Sequence, residues 1–104
     1  MGGEWMDVEF RDSQSLDLVE TERAAETRLP VAVLNSLRDK LVVIRAATDE
    51  RTLRNWRSLH YEKLEGKRSG ERSIRINKQW RLVFTIETDR KPNKITVLGV
   101  EDYH

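Results

Sequence analysis

Arg72-Ser73-Ile74-Arg75-Ile76-Asn77-Lys78-Gln79-Trp80-Arg81-Leu82-Val83-Phe84-Thr85-Ile86 alternates apolar and polar side chains on either side of one turn-forming triplet. Ile74 and Ile76 share a face before Asn77-Lys78-Gln79; Trp80, Leu82, Phe84 and Ile86 share one after it. A period of two is the signature of a strand with one buried face. A three-residue turn pairs Ile76 with Trp80 and Ile74 with Leu82, whereas a one-residue slip would mix the two faces. The same register sets Arg75 directly opposite Arg81, and like charges so opposed are destabilising on their own. Two accounts stay open. Either the guanidinium groups splay into solvent, or an anion sits between them, and the planar fork of arginine matches phosphate.

The pattern extends in both directions. Gly66-Lys67-Arg68-Ser69-Gly70 is a basic turn leading into the hairpin, and Thr88 to Asn93 is a polar loop leading out of it. Ile95 to Val100 is apolar on both sides, which marks a strand internal to the sheet. Pairing Glu87 with Lys94 places Arg81 opposite Val100. Asp102 and His104 then share the open face with Arg75 and Arg81, while Tyr103 points the other way. The meander is expected over residues 71–103.

Upstream lies a helix, expected over residues 30–47. Pro30 suits a first helical position because its missing N–H is not needed there. Leu34, Leu37, Leu41 and Ile44 follow at spacings of three and four, forming one apolar stripe. Thr48 or Asp49 can cap a second, short helix ending near Trp56, and Trp56 is expected to plug the passage from helix to sheet. Asp7-Val8-Glu9-Phe10 reads as a short strand, and Ser13 to Glu26 as a loop with a helical turn. Helices first and a meander afterwards imply an α+β fold, with N-terminal helices packed on a small, mainly antiparallel sheet. A length of 104 residues fits one domain spanning 1–104. Trp80 and Phe84 are expected in the core.

Composition narrows the function classes. There is no cysteine, so a disulfide framework and a cysteine zinc site are excluded, and two histidines alone do not close a structural metal site. No cofactor or metal is expected. The longest apolar run, Leu41-Val42-Val43-Ile44, is far short of a membrane span. The N-terminus lacks the basic-then-apolar pattern of a secretory signal, so a reducing, cytoplasmic setting without a membrane partner is expected. The net charge of +1 conceals an asymmetry. Residues 1–26 carry eight acids and two arginines, whereas residues 57–84 carry eight Lys/Arg and three acids. An acidic start before a basic middle points to a polyanion on one side of the molecule.

A face with arginines, an imidazole and a carboxylate can run acid–base chemistry on a phosphodiester. Histidine titrates near neutrality, positioned proton transfer contributes about 10²–10⁴-fold in rate, and arginine stabilises charge developing on phosphate. No serine–histidine–aspartate order, phosphate-cradling glycine loop or zinc motif is present. These residues leave an enzyme and a plain binding module both open.

The ordered set Leu59-His60-Tyr61-Glu62-Lys63-Leu64-Glu65-Gly66, Arg68-Ser69-Gly70, Ser73-Ile74-Arg75-Ile76-Asn77, Gln79-Trp80-Arg81-Leu82-Val83-Phe84 and Glu101-Asp102-Tyr103-His104 resembles the HigB-type (host inhibition of growth) toxins of the RelE/ParE superfamily. The resemblance covers roughly residues 28–104, and residues 6–27 more weakly. It implies a RelE/ParE-like fold and a type II toxin that cleaves mRNA on the ribosome without metal, the RNA 2′-hydroxyl attacking the adjacent phosphate. His60 and His104 become acid–base candidates. Arg81 and Arg75 would hold the phosphate, Asp102 would orient or tune its neighbours, and Tyr103 would stack on a base or assist proton transfer. Lys67 and Arg68 would touch backbone phosphates. Many relatives have a shorter step from the histidine to a Leu-Lys-Gly turn; here Glu65 replaces that lysine, and Lys63 is the candidate to take over its contact. Met1 to Trp5 precede Met6, where a typical relative begins, and read as an extension. Implied partners are the ribosome, mRNA and a cognate helix-turn-helix antitoxin. Two rivals remain: a non-catalytic toxin of the same fold acting on DNA gyrase, and an RNA-binding module that does not cut.

Overall fold

The computed structural model describes residues 5–11 and 16–102. Five strands form one sheet: β1 (Asp7–Phe10), β2 (Glu62–Lys63), β3 (Arg72–Arg75), β4 (Trp80–Glu87) and β5 (Lys94–Asp102), in the order β1-β5-β4-β3-β2. The β2, β3, β4 and β5 neighbours are antiparallel, while β1 lies parallel to β5. Two helices, α1 (Val31–Ala46) and α2 (Glu50–Asn55), complete an α+β fold.

The β3–β4 hairpin has the register that alternation dictates: Ile74 faces Leu82 and Arg75 faces Arg81. The turn is locked by Asn77, whose Oδ1 accepts from the backbone N–H groups of Gln79 and Trp80, both at 2.9 Å. Such short amide side chains mimic a backbone turn, which explains an Asn at the first position. The turn before β3 uses Gly66 (φ 66°) and Gly70 (φ 100°) where the chain needs positive φ.

The helical stripe is buried as its spacing requires. Leu34, Leu37, Leu41 and Ile44 join Leu82, Phe84, Ile95 and Val97 in one apolar cluster. Each such side chain, fully buried, stabilises the fold by roughly 1.5–3 kcal/mol before entropy is counted. Pro30 sits at the N-cap rather than the first helical position, and its carbonyl accepts from Leu34 N at 2.9 Å. Asp49 caps α2 by accepting from Thr52 N at 2.9 Å. The acidic N-terminal segment is docked on α1. Leu16 and Val19 are fully buried, Arg38 Nε donates to the Val19 carbonyl at 2.7 Å, and Glu20 pairs with Arg45. Trp56 is not a plug: it is 44% exposed, and Leu59 takes the core position instead. Trp80 is half-buried against the core and Phe84 fully buried. Among the described residues, no helix is long and apolar enough to cross a membrane.

The β4–β5 register departs from regular alternation. Glu87 faces Lys94 as expected, and the ladder runs regularly to Phe84 opposite Val97. A bulge then follows: Val83 faces Gly99, Leu82 faces Val100, and Arg81 faces Glu101. A regular ladder would have put Gly99 over the core and Val100 on the polar face. The extra residue in β5 lets Val97 and Val100 both reach the core, where both are buried. It also reverses every side chain beyond it, so Glu101 shares the Arg81 face. Asp102 lies opposite Trp80 and accepts from Gln79 Nε2 at 3.1 Å. The expected pairing of Arg81 with Val100, and the placement of Asp102 beside Arg81, are corrected accordingly.

Candidate active site on the polar face of the sheet

The face turned away from α1 carries Arg75 and Ser73 from β3, Arg81 and Val83 from β4, Glu62 from β2 and Glu101 from β5. Arg81 is expected there, but as an open side chain; it is only 7% exposed. Its Nε donates to Ser73 Oγ at 2.8 Å, and its Nη2 donates to the His60 carbonyl at 2.5 Å and lies 3.3 Å from Glu62 Oε1. A buried guanidinium needs its donors met, and a hydroxyl, a carbonyl and a carboxylate supply that here. Arg75 bends away, donating from Nε to the Asn77 carbonyl at 3.2 Å. The opposed arginines are thus parted by separate acceptors, not by free solvation.

His60 caps the 3₁₀ turn Arg57–Leu59 in the left-handed region, at φ 47° and ψ 54°. This conformation is uncommon for a side chain with a Cβ, and such strain persists only where neighbours hold it. Its N–H donates to the Arg57 carbonyl at 3.1 Å and its carbonyl is held by Arg81. Its imidazole Nε2 lies 3.4 Å from Arg75 Nη1. Arginine can only donate, so Nε2 is the acceptor and the ring proton resides on Nδ1. His60, Glu62, Arg75, Asn77, Lys78 and Arg81 line a cleft of about 270 Å³. Three cations against one carboxylate make it an anion-accepting recess.

A smaller, adjoining recess of about 120 Å³ shares Glu62 and Arg81 and reaches Arg68, Ser73 and Glu101. Arg68 was expected to face RNA, but its donors are engaged. Nη1 and Nη2 grip Glu101 at 2.8 and 2.5 Å, and Nε donates to Glu71 Oε1 at 2.9 Å. These bonds raise the Arg68 pKa, and the same fork holds the Glu101 carboxyl below its usual range.

The structure therefore brings together His60, Arg75 and Arg81, with Arg68 at one end. Lys67 is exposed on the turn Gly66–Arg68. Lys63 pairs with Arg72, on the helix side of the sheet, away from Arg81. It cannot replace a lysine of the Arg81 cleft. Tyr103 and His104 lie outside the described residues. Sequence reading missed Glu62, Ser73, Lys78 and Glu101. The two-residue strand β2, too short to show alternation, hid Glu62; the bulge hid Glu101. Among the described residues, no cluster of three His, Cys, Asp or Glu side chains could hold a metal ion.

With this geometry in hand, the chain can be compared with known proteins. A family model described as RelE-like toxin of type II toxin-antitoxin system HigB matches residues 8–104. Toxin HigB-1 of Vibrio cholerae is 37% identical over 79 residues, covering 76% of this chain and 82% of that protein. Among solved structures, YafQ of E. coli aligns with a TM-score of 0.61 at 18% identity, covering 93% of this chain and 92% of that one. The Staphylococcus aureus YoeB–YefM complex contains a chain aligning with a TM-score of 0.56 at 20% identity, covering 95% and 97%. At these identities the two structures speak for the fold alone.

Proposed function

This chain belongs to the HigB-like family, RelE-like toxins of type II toxin–antitoxin systems, and from that premise we propose that it is a ribosome-dependent endoribonuclease cutting mRNA. The observation that carries the reading is the cleft in which His60 and Glu62 stand beside Arg75 and Arg81. In the proposed reaction, the 2′-hydroxyl loses its proton to a base and its oxygen bonds to the adjacent phosphorus. The bond to the 5′-oxygen breaks, and that oxygen takes a proton from an acid. The products are a 2′,3′-cyclic phosphate and a 5′-hydroxyl. Glu62 and the unprotonated Nε2 of His60 are the bases within the cleft; His104 is assigned as the acid and Tyr103 as a base-stacking or proton-relaying group. Arg81 and Arg75 take the phosphate oxygens, stabilising the charge that builds there, with Lys67 and Lys78 on flanking phosphates. Asp102, held by Gln79, orients the end of β5 instead of tuning Arg81.

The test is cleavage of ribosomes carrying a defined message. Discrete cuts in the decoding site are expected, abolished by His60→Gln and His104→Gln. A soundly folded wild-type protein that cuts at no codon sinks the reading, and inhibition of gyrase supercoiling would favour its rival. The S. aureus relative is found in complex with YefM; by the same logic this chain takes a cognate antitoxin. Expression of the toxin alone should arrest growth, and co-expression with the antitoxin should restore it.

A further inference from the structure

The turn Gly66–Gly70 reads as basic, yet the structure neutralises it. Arg68 is shared between Glu71 and Glu101, one cation against two carboxylates, at the rim of the recess that Arg81 floors. Glu101 occupies the guanidinium with two oxygens in the parallel, bidentate manner in which arginine grips a phosphate. A message entering the Arg81 cleft would thus meet a negative rim where a cation is needed. The tie is also a loose one: the two side chains are 43% and 46% exposed, and ion pairs so exposed contribute little.

We propose that Glu101 is an internal stand-in for an RNA phosphate, holding Arg68 at the cleft end until a phosphate of the message displaces it. Arg68 is then a gated contact. It is folded against β5 in the free protein and turned to the RNA backbone in the complex, with Glu71 retaining Nε as a pivot. The exchange swaps one bidentate anion for another and leaves the guanidinium paired throughout. This rests on the RNA-cleaving reading above for the identity of the ligand, but not on any catalytic step.

The experiment uses the full chain and a single-stranded, 2′-O-methyl RNA oligonucleotide, which presents phosphates and cannot be cleaved. Affinity is measured from low to moderate salt for the wild type, Glu101→Gln, Arg68→Ala, the double variant and Glu71→Gln. Glu101→Gln should tighten binding about two- to fivefold, the worth of one partly exposed ion pair. Its salt dependence should steepen by about 0.7, the slope of one added phosphate contact on a single strand. The double variant should bind like Arg68→Ala, and Glu71→Gln should gain less than Glu101→Gln. Unchanged affinity and slope in Glu101→Gln would overturn the proposal. So would a gain that survives in the double variant or is matched by Glu71→Gln, because mere loss of negative charge would then account for it. RNA that binds none of the variants overturns it as well. Failure of the wild type to cut programmed ribosomes, with this binding pattern intact, would remove the endonuclease reading and leave the exchange standing.

Discussion

The Arg81 guanidinium holds the main chain of His60: Nη2 donates to the histidine carbonyl at 2.5 Å while His60 sits in the left-handed region. One side chain of the sheet floor therefore ties down the backbone of the segment that carries the imidazole. A phosphate drawn to Arg81 arrives beside that imidazole by construction.

Arg81→Ala should cost both stability and activity. It removes a buried group and leaves Ser73 Oγ and the His60 carbonyl short of a donor. Buried partners so orphaned cost about 1–3 kcal/mol, visible as a lower urea midpoint. Cleavage of programmed ribosomes should fall to background. An Arg81→Ala protein as stable as the wild type would show that the guanidinium is not integral to the packing.

His60 separates backbone from chemistry. The left-handed conformation costs an ordinary residue roughly 1 kcal/mol, and glycine almost nothing. His60→Gly should therefore be about 0.5–1 kcal/mol more stable than His60→Ala, although both lack the imidazole and both should fail to cut. Equal stabilities, or a less stable glycine variant, would mean that the strain at His60 is not borne in solution.

Acid should weaken the fold through two depressed carboxyls. Asp49 is lowered by the Thr52 N–H and hydroxyl that it accepts, and Glu101 by the Arg68 fork. A carboxyl with a folded pKa below its unfolded value, about 3.9 for Asp and 4.3 for Glu, adds stability above that value. The contribution is lost as pH falls through the folded pKa. Denaturation followed from pH 6 downward should steepen below about 4.3. Glu101→Gln and Asp49→Asn should each flatten that slope, and Asp49→Ala should also lose about 1 kcal/mol of capping at neutral pH. A pH profile unaltered in both carboxamide variants would contradict the assignment.

Tyr61 gives the alkaline counterpart. Burial, with its ring edge-on to Phe84, and the Glu50 carboxylate accepting from its hydroxyl push its pKa well above the usual value. Its stabilisation is complete below the unfolded pKa of about 10 and is lost as pH rises towards the folded one. In a near-ultraviolet titration, one of the two tyrosines should ionise only as the protein unfolds, and Tyr61→Phe should abolish that late phase. Two tyrosines ionising together near pH 10 in folded protein would refute this.

Local periodicity alone was enough for α1 and for the β3–β4 hairpin. The stripe from Leu34 to Ile44 and the alternation about Asn77–Gln79 are short-range patterns, and each admits one arrangement that buries its apolar face. The family resemblance likewise rests on an ordered set of residues readable without coordinates. The parallel pairing of β1 with β5, the bulge near Gly99, the short strand β2 and the burial of Arg81 were decided only in three dimensions. The bulge answers a demand from the opposite layer, because Val97 and Val100 both find room in the core only if one residue is skipped between them. That skip exchanges Asp102 for Glu101 on the polar face, and nothing within β5 alone announces it. Arg81 is buried because Ser73, Glu62 and the His60 carbonyl converge on it from three separate places in the chain. A charge can be desolvated only where remote segments supply its partners, and that convergence is a property of the tertiary fold.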